Sequence, residues 1–387
     1  MKLTELRHQR LETNTYLGSP SLTRLTNGDL LASHDYFGPG APRNRDGREN
    51  LTSVYRSIDN GQTWESVTHI VDSMGSTLFT LGEAVYLLGV SPMYGDITIL
   101  RSDDNGNSWS LPKDSRSGLL FAAGPGDQPP NYHCSPMPVA QIGGRVYRAF
   151  EDCLPDRWPG SFQSCVISAD AGADLLHAAN WTMSNKLGFD QSWVRPDWGT
   201  WEDNGWLEGN VVVDPDGQMW NVIRVSGITE RRDNWSLWDH AAMIRVDDEG
   251  RSLSFDPQTG FIDLPGGHSK FTIRWSPQAG SYLTLSNGNL DRRKPTHRAV
   301  LSLYRSDDLR EWRHCKVLLA DDSGNDYYTS SRTTGFQYVD WDFDGPDILY
   351  LSRTAYDGAH SYHDSNRITF HRLKDCQGAL QEADRDR

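Results

Sequence analysis

The sequence contains SIDNGQTW at residues 57–64 and a near copy, SDDNGNSW, at residues 102–109. Both copies follow the spacing Ser-x-Asp-x-Gly-x-Thr/Ser-Trp. In such a stretch the Ser and Asp side chains satisfy backbone N–H groups of a tight turn, the Gly accepts a positive φ, and the Trp packs between neighbouring sheets. Turn chemistry alone explains this pattern, so it predicts the fold and says little about activity.

Degenerate copies of this box follow at residues 168–172 (SADAG), 246–250 (VDDEG) and 306–312 (SDDLREW). Six β-rich runs, each opened by a turn pair rich in Gly, Asn or Asp, accompany the boxes. They are NGDLLASHDY (27–36), LGEAVYLLGV (81–90), IGGRVYRAFE (142–151), PDGQMWNVIR (215–224), QAGSYLTLSN (278–287) and DGPDILYLSRT (344–354). Repeats spaced by roughly 60 residues indicate a propeller or a solenoid. We predict an all-β protein, a six-bladed β-propeller of four-stranded antiparallel blades, as one domain over residues 1–387.

The last repeat supplies three β runs, at residues 335–341, 348–354 and 368–373, and then the β pattern ends. An open fourth position would leave an exposed strand edge, which closed β folds avoid. Residues 3–8 (LTELRH) are therefore predicted to close the ring as the missing strand.

Composition excludes several classes of function. The net charge of −14 disfavours a nucleic-acid partner, which requires a basic surface. The sequence contains no run of 18 or more apolar residues, so it predicts no membrane-spanning helix. The five cysteines lack CxxC spacing and are odd in number, which favours free thiols over a zinc site. We expect no cofactor and no metal, since SYHDSN (361–366) resembles a metal-ligand cluster only superficially.

Cellular location and assembly are less constrained. The first residues, MKLTELRHQRLETN, lack the apolar core of a signal peptide. A cytoplasmic location is expected if Met1 is the native start, and a periplasmic or secreted one if an export signal has been removed. The oligomeric state is left open.

Blade topology sorts the ionisable residues. In an antiparallel blade with strands A to D, the start of A, the end of B and the start of C lie at one face of the propeller. The A–B turn and the Asp box lie at the other. The first face is predicted to collect Ser19, His133, Glu208, Lys270 and Tyr338 from starts of A, His34, Asp35, Glu151, Arg224, Asn287 and Arg353 from ends of B, and Arg298 from a start of C.

These residues resemble the sialidase superfamily, six-bladed propellers with Asp boxes. The matching motifs are LLASHD (30–35), LEGNVVVDPDGQMWNVIR (207–224), THRAVLSLYRSDD (296–308) and GFQYVDWDFDGPDILY (335–350). The resemblance implies an exo-acting glycoside hydrolase with a carbohydrate substrate. It assigns Asp35 as acid/base, Tyr338 as nucleophile and Glu208 as its partner, and it implies that Arg224 and Arg298 grip a substrate carboxylate.

The sequence departs from this family at one arginine. The family carries Arg two residues before a Pro in a stretch like SPSL, and YLGSPSLTRL (16–25) has Gly18 there. Because a bidentate Arg–carboxylate contact is a strong one, its loss leaves the sugar and its linkage open. Arg353, Lys270 and Arg24 are the basic residues available to replace it.

Three mechanisms stay open. An unperturbed phenol has a pKa of about 10, so Tyr338 can attack only if a neighbouring carboxylate such as Glu208 takes its proton. Alternation along a strand lets only one of His34 and Asp35 face the axis. If His34 does, a histidine-dependent glycosidase or a lyase acting on uronic acids becomes possible, with His133 and Glu151 as further participants. The third interpretation is a non-catalytic glycan-binding propeller without a working acid, base or nucleophile. Glu208 and Arg224 also have a purely structural interpretation, as an ion pair that bridges the fourth blade.

A loop with four Trp residues, QSWVRPDWGTWEDNGW (191–206), has two interpretations. Aromatic faces on loops suit sugar rings, and equally they can cover the rim of the propeller.

Overall fold

The computed structural model describes residues 3–126, 128–154, 156–195, 202–228, 239–288 and 297–385. The chain starts with strand β1 (Thr4–His8), which belongs to the last blade, and then builds six antiparallel sheets in order. The first two blades contain β2 (Tyr16–Arg24), β3 (Leu30–Phe37), β4 (Leu51–Ser57) and β5 (Glu65–Val71), then β6 (Met74–Leu81), β7 (Ala84–Ser91), β8 (Asp96–Ser102) and β9 (Leu119–Phe121).

Blades III and IV have split edge strands. Blade III contains β10 (Tyr132–His133), β11 (Ala140–Ile142), β12 (Arg145–Asp152), β13 (Gln163–Asp170), β14 (Trp181–Met183) and β15 (Leu187–Gly188). Blade IV contains β16 (Glu202–Val213), β17 (Met219–Ile228), β18 (His240–Asp247), β19 (Ser252–Ser254) and β20 (Phe261–Asp263).

The last two blades return to four strands. Blade V contains β21 (Thr272–Ser276), β22 (Ser281–Ser286), β23 (Val300–Ser306) and β24 (Arg313–Ala320). Blade VI contains β25 (Gly335–Asp344), β26 (Asp347–Ala355) and β27 (Arg367–Leu373), with β1 as its outer strand. The all-β six-bladed prediction is confirmed.

Ring closure by the N-terminal strand is also confirmed. Strand β1 pairs antiparallel with β27, with Thr4 opposite Phe370 and His8 opposite Arg367. Leu6 is buried in the cluster that joins blades VI and I, and Arg367 donates to Glu5 at 2.7 Å. The contact between the two ends of the chain therefore covers the edge that β27 would otherwise expose.

The Asp boxes form the turns that their sequence predicts. In the first copy, the Gly61 amide donates to the Ser57 hydroxyl at 2.8 Å and the Thr63 amide donates to Asp59 at 2.9 Å. Gly61 has φ +90°, and Trp64 packs against Phe370 of the neighbouring blade with ring centroids 5.4 Å apart. The box is thus a hairpin connector that also joins adjacent blades.

Within the described ranges, two short α-helices fall outside the predicted pattern, α1 (Tyr327–Thr333) and α2 (Cys376–Arg385). The 3₁₀ turns span Leu11–Thr13, Ala178–Asn180, Gln191–Trp193 and Asp248–Gly250. In the described ranges, neither helix is long and apolar enough to cross a membrane. All five cysteines lie in described ranges, and none of them forms a disulfide bond there.

The Trp-rich loop is partly core. Trp206 is fully buried between blades III and IV, its indole N–H donates to the Leu187 carbonyl at 2.9 Å, and Trp193 packs on it at 5.5 Å between ring centroids. Trp206 packs into the interior, so its interpretation as a sugar contact is wrong, whereas Trp193 is partly buried against the same cluster. Trp198 and Trp201 lie outside the described residues.

Candidate active site

The inner strands of four blades carry a bulge at the same level. The A–B register shifts between Gly18 and Ser21, Met74 and Thr77, Leu207 and Asn210, and Gln337 and Asp340. Each bulge contains a residue with positive φ, namely Ser19 (51°), Gly75 (59°), Glu208 (64°) and Tyr338 (53°). A bulge re-aims side chains, and a non-glycine residue in this region costs of order 1–3 kcal/mol. Strain of this kind, repeated around one axis, marks a candidate site.

Asp35 is 2 % exposed at the end of β3. Its Oδ2 accepts from the Gly75 amide at 2.7 Å. Thr52 Oγ1 lies 2.6 Å from Asp35 Oδ1 and 2.6 Å from the Ser73 carbonyl oxygen. A hydroxyl has a single hydrogen and the carbonyl can only accept, so a protonated Asp35 that donates to Thr52 satisfies all three oxygens. Burial is the main cause that raises the pKa of Asp35 to about 7.

His34 points away from Asp35, as strand alternation requires. Its side chain is fully buried in blade I, with Nε2 3.3 Å from the Tyr55 hydroxyl and the ring stacked on that of Tyr55. Burial lowers the pKa of His34 to about 4. The structure therefore does not bring His34 to the candidate site, and its interpretation as a substrate contact is corrected.

Glu208 and Tyr338 share one guanidinium group. Glu208 Oε1 accepts from the Ser135 hydroxyl at 2.6 Å, and Oε2 accepts from Arg224 Nη1 at 2.9 Å. The same Nη1 lies 3.4 Å from the Tyr338 hydroxyl. Within the described residues, Arg224 joins Tyr338 to Glu208 in place of the direct pair expected from the sequence. Burial alone would raise the pKa of Glu208, but the Arg224 charge and the hydrogen bonds from Ser135 and Arg224 hold it below its usual value.

Two further guanidinium groups flank the Tyr338 ring. Cζ of Arg353 lies 4.8 Å from the ring centroid, and Cζ of Arg298 lies 5.7 Å from it. Arg298 donates to Gln337, while Arg353 donates through Nε to Ser365 at 3.0 Å. Both arginines are buried, and no carboxylate of the described residues lies within ion-pair distance of either.

Arg353 occupies the space beside Gly18. A Cβ atom on Gly18 would lie 3.9 Å from Arg353 Nη1 and 3.2 Å from the Phe37 ring. The Arg353 guanidinium lies between that ring, at 4.5 Å from its centroid, and the ring of Tyr338. Arg24, by contrast, pairs with Asp344 at 2.9 Å beside the A–B turns of the opposite face. Among the three basic residues considered, Arg353 is the one next to Gly18.

Lys270 is bonded to the protein interior. Its Nζ donates to Thr272 Oγ1 at 2.8 Å and to the Val339 carbonyl at 2.6 Å, and the residue is 1 % exposed. Burial lowers its pKa to about 8. Lys270 therefore holds the bulge of Tyr338 and Val339, and its interpretation as a substrate contact is corrected.

His133 and Glu151 lie behind Glu208. His133 Nδ1 lies 2.8 Å from Glu151 Oε2, and Glu151 Oε1 accepts from the Glu208 amide at 2.6 Å. Burial raises the pKa of Glu151. This carboxyl group fixes the strained backbone of Glu208. Asn287 has a similar structural role, since it donates to the carbonyls of Val300 and Phe336.

A buried arginine links the two halves of the site. Arg148 is fully buried and donates through Nη2 to the carbonyls of Gly75 at 2.9 Å and Ser135 at 2.8 Å. The Gly75 amide holds Asp35, and the Ser135 hydroxyl holds Glu208. Sequence reasoning missed these supports. Only Thr52 could have been found from the sequence, because pairing of β3 with β4 places it directly opposite Asp35.

The described residues of the candidate site offer no metal-ligand arrangement. No group of three or more His, Cys, Asp or Glu residues in the described part of the chain is arranged to hold a metal ion. In the SYHDSN segment, His360 and His363 both contact Asp364, at 2.8 and 2.9 Å.

Comparison with known proteins identifies the fold. No family model matches the sequence, and no curated protein matches it. An α-L-arabinofuranosidase of Fusarium graminearum aligns with a TM-score of 0.61 at 12 % identity over 99 % of both chains. The sialidase of Trypanosoma rangeli, solved with sialic acid, aligns with a TM-score of 0.56 at 14 % identity over 95 % of this chain and 55 % of that one. The chain has the propeller fold of sialidases and GH93 arabinofuranosidases.

A third match is an α-L-arabinanase of Penicillium chrysogenum, solved with arabinobiose. It has a TM-score of 0.56 and 15 % identity, over 99 % of both chains. Identities this low show the sialidase-type fold alone, so the activity has to be argued from the side chains of this chain.

Proposed function

We propose that this sialidase-type propeller is an exo-acting glycoside hydrolase that removes a terminal acidic sugar. The observation that carries the proposal is the convergence of three guanidinium groups on Tyr338, those of Arg224, Arg298 and Arg353. Of the three, only Arg224 has a carboxylate partner among the described residues. A buried surplus of positive charge is costly unless an anion compensates it. A carboxylate on the substrate is such an anion, and guanidinium groups bind it with charge-assisted hydrogen bonds.

Tyr338 is proposed as the nucleophile. Its oxygen would form a bond to the anomeric carbon while the bond to the leaving oxygen breaks. A neutral phenol avoids the repulsion that a carboxylate nucleophile would meet from the substrate carboxylate. The three guanidinium groups would stabilise negative charge that develops on the Tyr338 oxygen.

Glu208 is proposed to receive the proton of Tyr338. In the structure, both groups contact the same Arg224 nitrogen. A substrate carboxylate that binds Arg224 would compete with Glu208 for this donor and would free Glu208 to accept the phenol proton. The Arg224 charge and the hydrogen bonds from Ser135 and Arg224 keep Glu208 ionised in spite of its burial, as a base must be.

Asp35 is proposed as the acid and then the base. Its pKa of about 7 and its contact with Thr52 support a carboxyl group that keeps its proton up to about neutral pH. It would give its proton to the leaving oxygen, and as a carboxylate it would later take a proton from the water that hydrolyses the tyrosyl intermediate.

Cleavage of arabinose glycosides is the second candidate. It is favoured by Gly18, which stands where sialidases carry an arginine for the substrate carboxylate. It is also favoured by the named activities of two structural neighbours that match over 99 % of both chains. The guanidinium surplus disfavours it, because a neutral sugar offers no charge to compensate.

The test is a panel of methyl and aryl glycosides of sialic acid, Kdo-like sugars, glucuronic acid and α-L-arabinofuranose. We expect turnover of an acidic glycoside and losses of about 10²–10⁴-fold in kcat/KM for Asp35→Ala and Tyr338→Phe. Preferred turnover of the arabinofuranoside, or a product with the ultraviolet absorption of an unsaturated uronate, would contradict the proposal. Binding of glycans with no release of product would identify a lectin.

A further inference from the structure

Trp158 is an exposed aromatic residue at the rim of the candidate site. It lies on the connection between β12 and β13, and 37 % of it is exposed. The centroid of its ring lies 5.7 Å from Cζ of Arg224, whose Nη1 contacts the Tyr338 hydroxyl. One guanidinium group therefore separates the indole from the proposed nucleophile.

The segment that carries Trp158 is firmly anchored. The Ser161 hydroxyl accepts from the Leu154 amide and donates to the Leu154 carbonyl, both at 2.9 Å. Phe162 is fully buried, and its ring lies 5.1 Å from that of His133. On the other side, a Cβ atom on Gly160 would lie 2.9 Å from the side chain of Asp203 in β16, which indicates close contact with blade IV. These contacts hold the segment that presents the indole.

Of Trp158, Arg224 and Tyr338, Trp158 is the most exposed, and Tyr338 is partly buried. Trp158 is 37 % exposed, whereas Arg224 is 4 % exposed. In an exo-acting enzyme the terminal sugar reaches deepest, and the remainder of the glycan leads outward. Arg224 and Tyr338 are already occupied by the terminal sugar in the proposed function, so a ligand group that reaches Trp158 belongs to the next residue of the glycan.

We propose that Trp158 forms a subsite for the sugar on the leaving-group side and that the substrate is an oligosaccharide of at least two sugars. The apolar face of a pyranose would stack on the indole, as apolar groups pack on large aromatic rings. This inference rests on the proposed function.

The experiment compares a methyl glycoside with a disaccharide or trisaccharide of the same acidic sugar, for example methyl sialoside with sialyllactose. A methyl leaving group is too small to stack on an indole. We expect Trp158→Ala to lower kcat/KM for the oligosaccharide about tenfold and to leave that for the methyl glycoside nearly unchanged, while Trp158→Phe keeps most of the activity.

Trp275→Ala is the matched control. Trp275 is 47 % exposed, and it lies near the A–B turn of blade V on the opposite face of the propeller. The Trp275→Ala substitution should leave kcat/KM unchanged for both the methyl glycoside and the oligosaccharide. In a Tyr338→Phe background, saturation-transfer NMR should show contact to the second sugar ring that is lost on Trp158→Ala.

The outcomes separate the subsite from the function. If the wild type cleaves both substrates and Trp158→Ala changes them by the same factor, the subsite is refuted and the proposed function stands. If the wild type cleaves no acidic glycoside of any length, the proposed function is refuted and the subsite falls with it.

Discussion

Replacing Asp35 by Asn should stabilise the protein at neutral and alkaline pH. The pKa of Asp35 rises from 3.8 to about 7 on folding, chiefly because of burial. The native state therefore disfavours an ionised Asp35. Its protonated form contributes to the free energy of unfolding, and this contribution is fully present below the pKa that Asp35 has in the unfolded chain. This stability is lost as the pH rises through the folded pKa. Asn mimics the protonated acid, since its amide can donate to Thr52 and its oxygen can accept from Gly75.

The magnitude follows from the shift in pKa. A difference of about 3 units at about 1.4 kcal/mol per unit gives about 4 kcal/mol. The free energy of unfolding of Asp35→Asn, relative to the wild type, should thus rise by about 4 kcal/mol between about pH 4 and about pH 8. Denaturant unfolding of both proteins at a series of pH values measures this difference directly.

Glu208→Gln is the control with the opposite sign. The folded pKa of Glu208 is depressed, so its charge contributes stability above the unfolded pKa that is lost as the pH falls. Its replacement should destabilise most at neutral pH and least in acid. If the difference between Asp35→Asn and the wild type is the same at every pH, Asp35 is not held protonated, and its role as a general acid fails with it. With the role intact, kcat/KM of the wild type should decline above about pH 7.

Three other predictions address binding and fold. Arg353→Leu should raise KM for an acidic glycoside about tenfold to hundredfold, since a charged hydrogen bond is worth about 1.5–3 kcal/mol, and an unchanged KM would exclude a contact with the anion. Gly61→Ala should lower the free energy of unfolding by about 1–3 kcal/mol more than Gly28→Ala. Both glycines have similar φ, but only a Cβ on Gly61 meets Phe370, at 2.1 Å, so equal effects in denaturant unfolding would contradict a steric cause. Removal of residues 1–8 should expose the edge of β27 and yield oligomers in light scattering, whereas a monomer of unchanged stability would show that closure is dispensable.

The fold was predictable because its signals are local. The two complete Asp boxes satisfy their own turns, as Ser57, Asp59 and Gly61 do through contacts within four residues. Hairpin connectivity then places the ends of B and the starts of A at one face, which is sufficient to bring Asp35, Glu208 and Tyr338 to the same end of the propeller. Strand alternation also limited the choice between His34 and Asp35 to one residue, though it could not tell which. The role of the Trp-rich loop stayed open in the sequence because burial of Trp206 depends on contacts with Leu187 and Phe255 that no sequence spacing reveals.

The site was less predictable from the sequence. Its residues occupy equivalent positions in the blade topology and differ in the partners that their buried side chains contact. The start of A or the end of B carries each of Glu151, Lys270 and Arg353. The sequence therefore predicts a ligand contact equally well for all three. In the structure, Glu151 bonds the Glu208 amide and Lys270 bonds the Val339 carbonyl, each beside a residue with positive φ. Such strain costs of order 1–3 kcal/mol and persists only where surrounding contacts impose it. Glu151 and Lys270 therefore hold the backbone that presents Glu208 and Tyr338. Arg353 is bonded to neither bulge, and in the proposed function it is the one of the three that contacts the substrate anion.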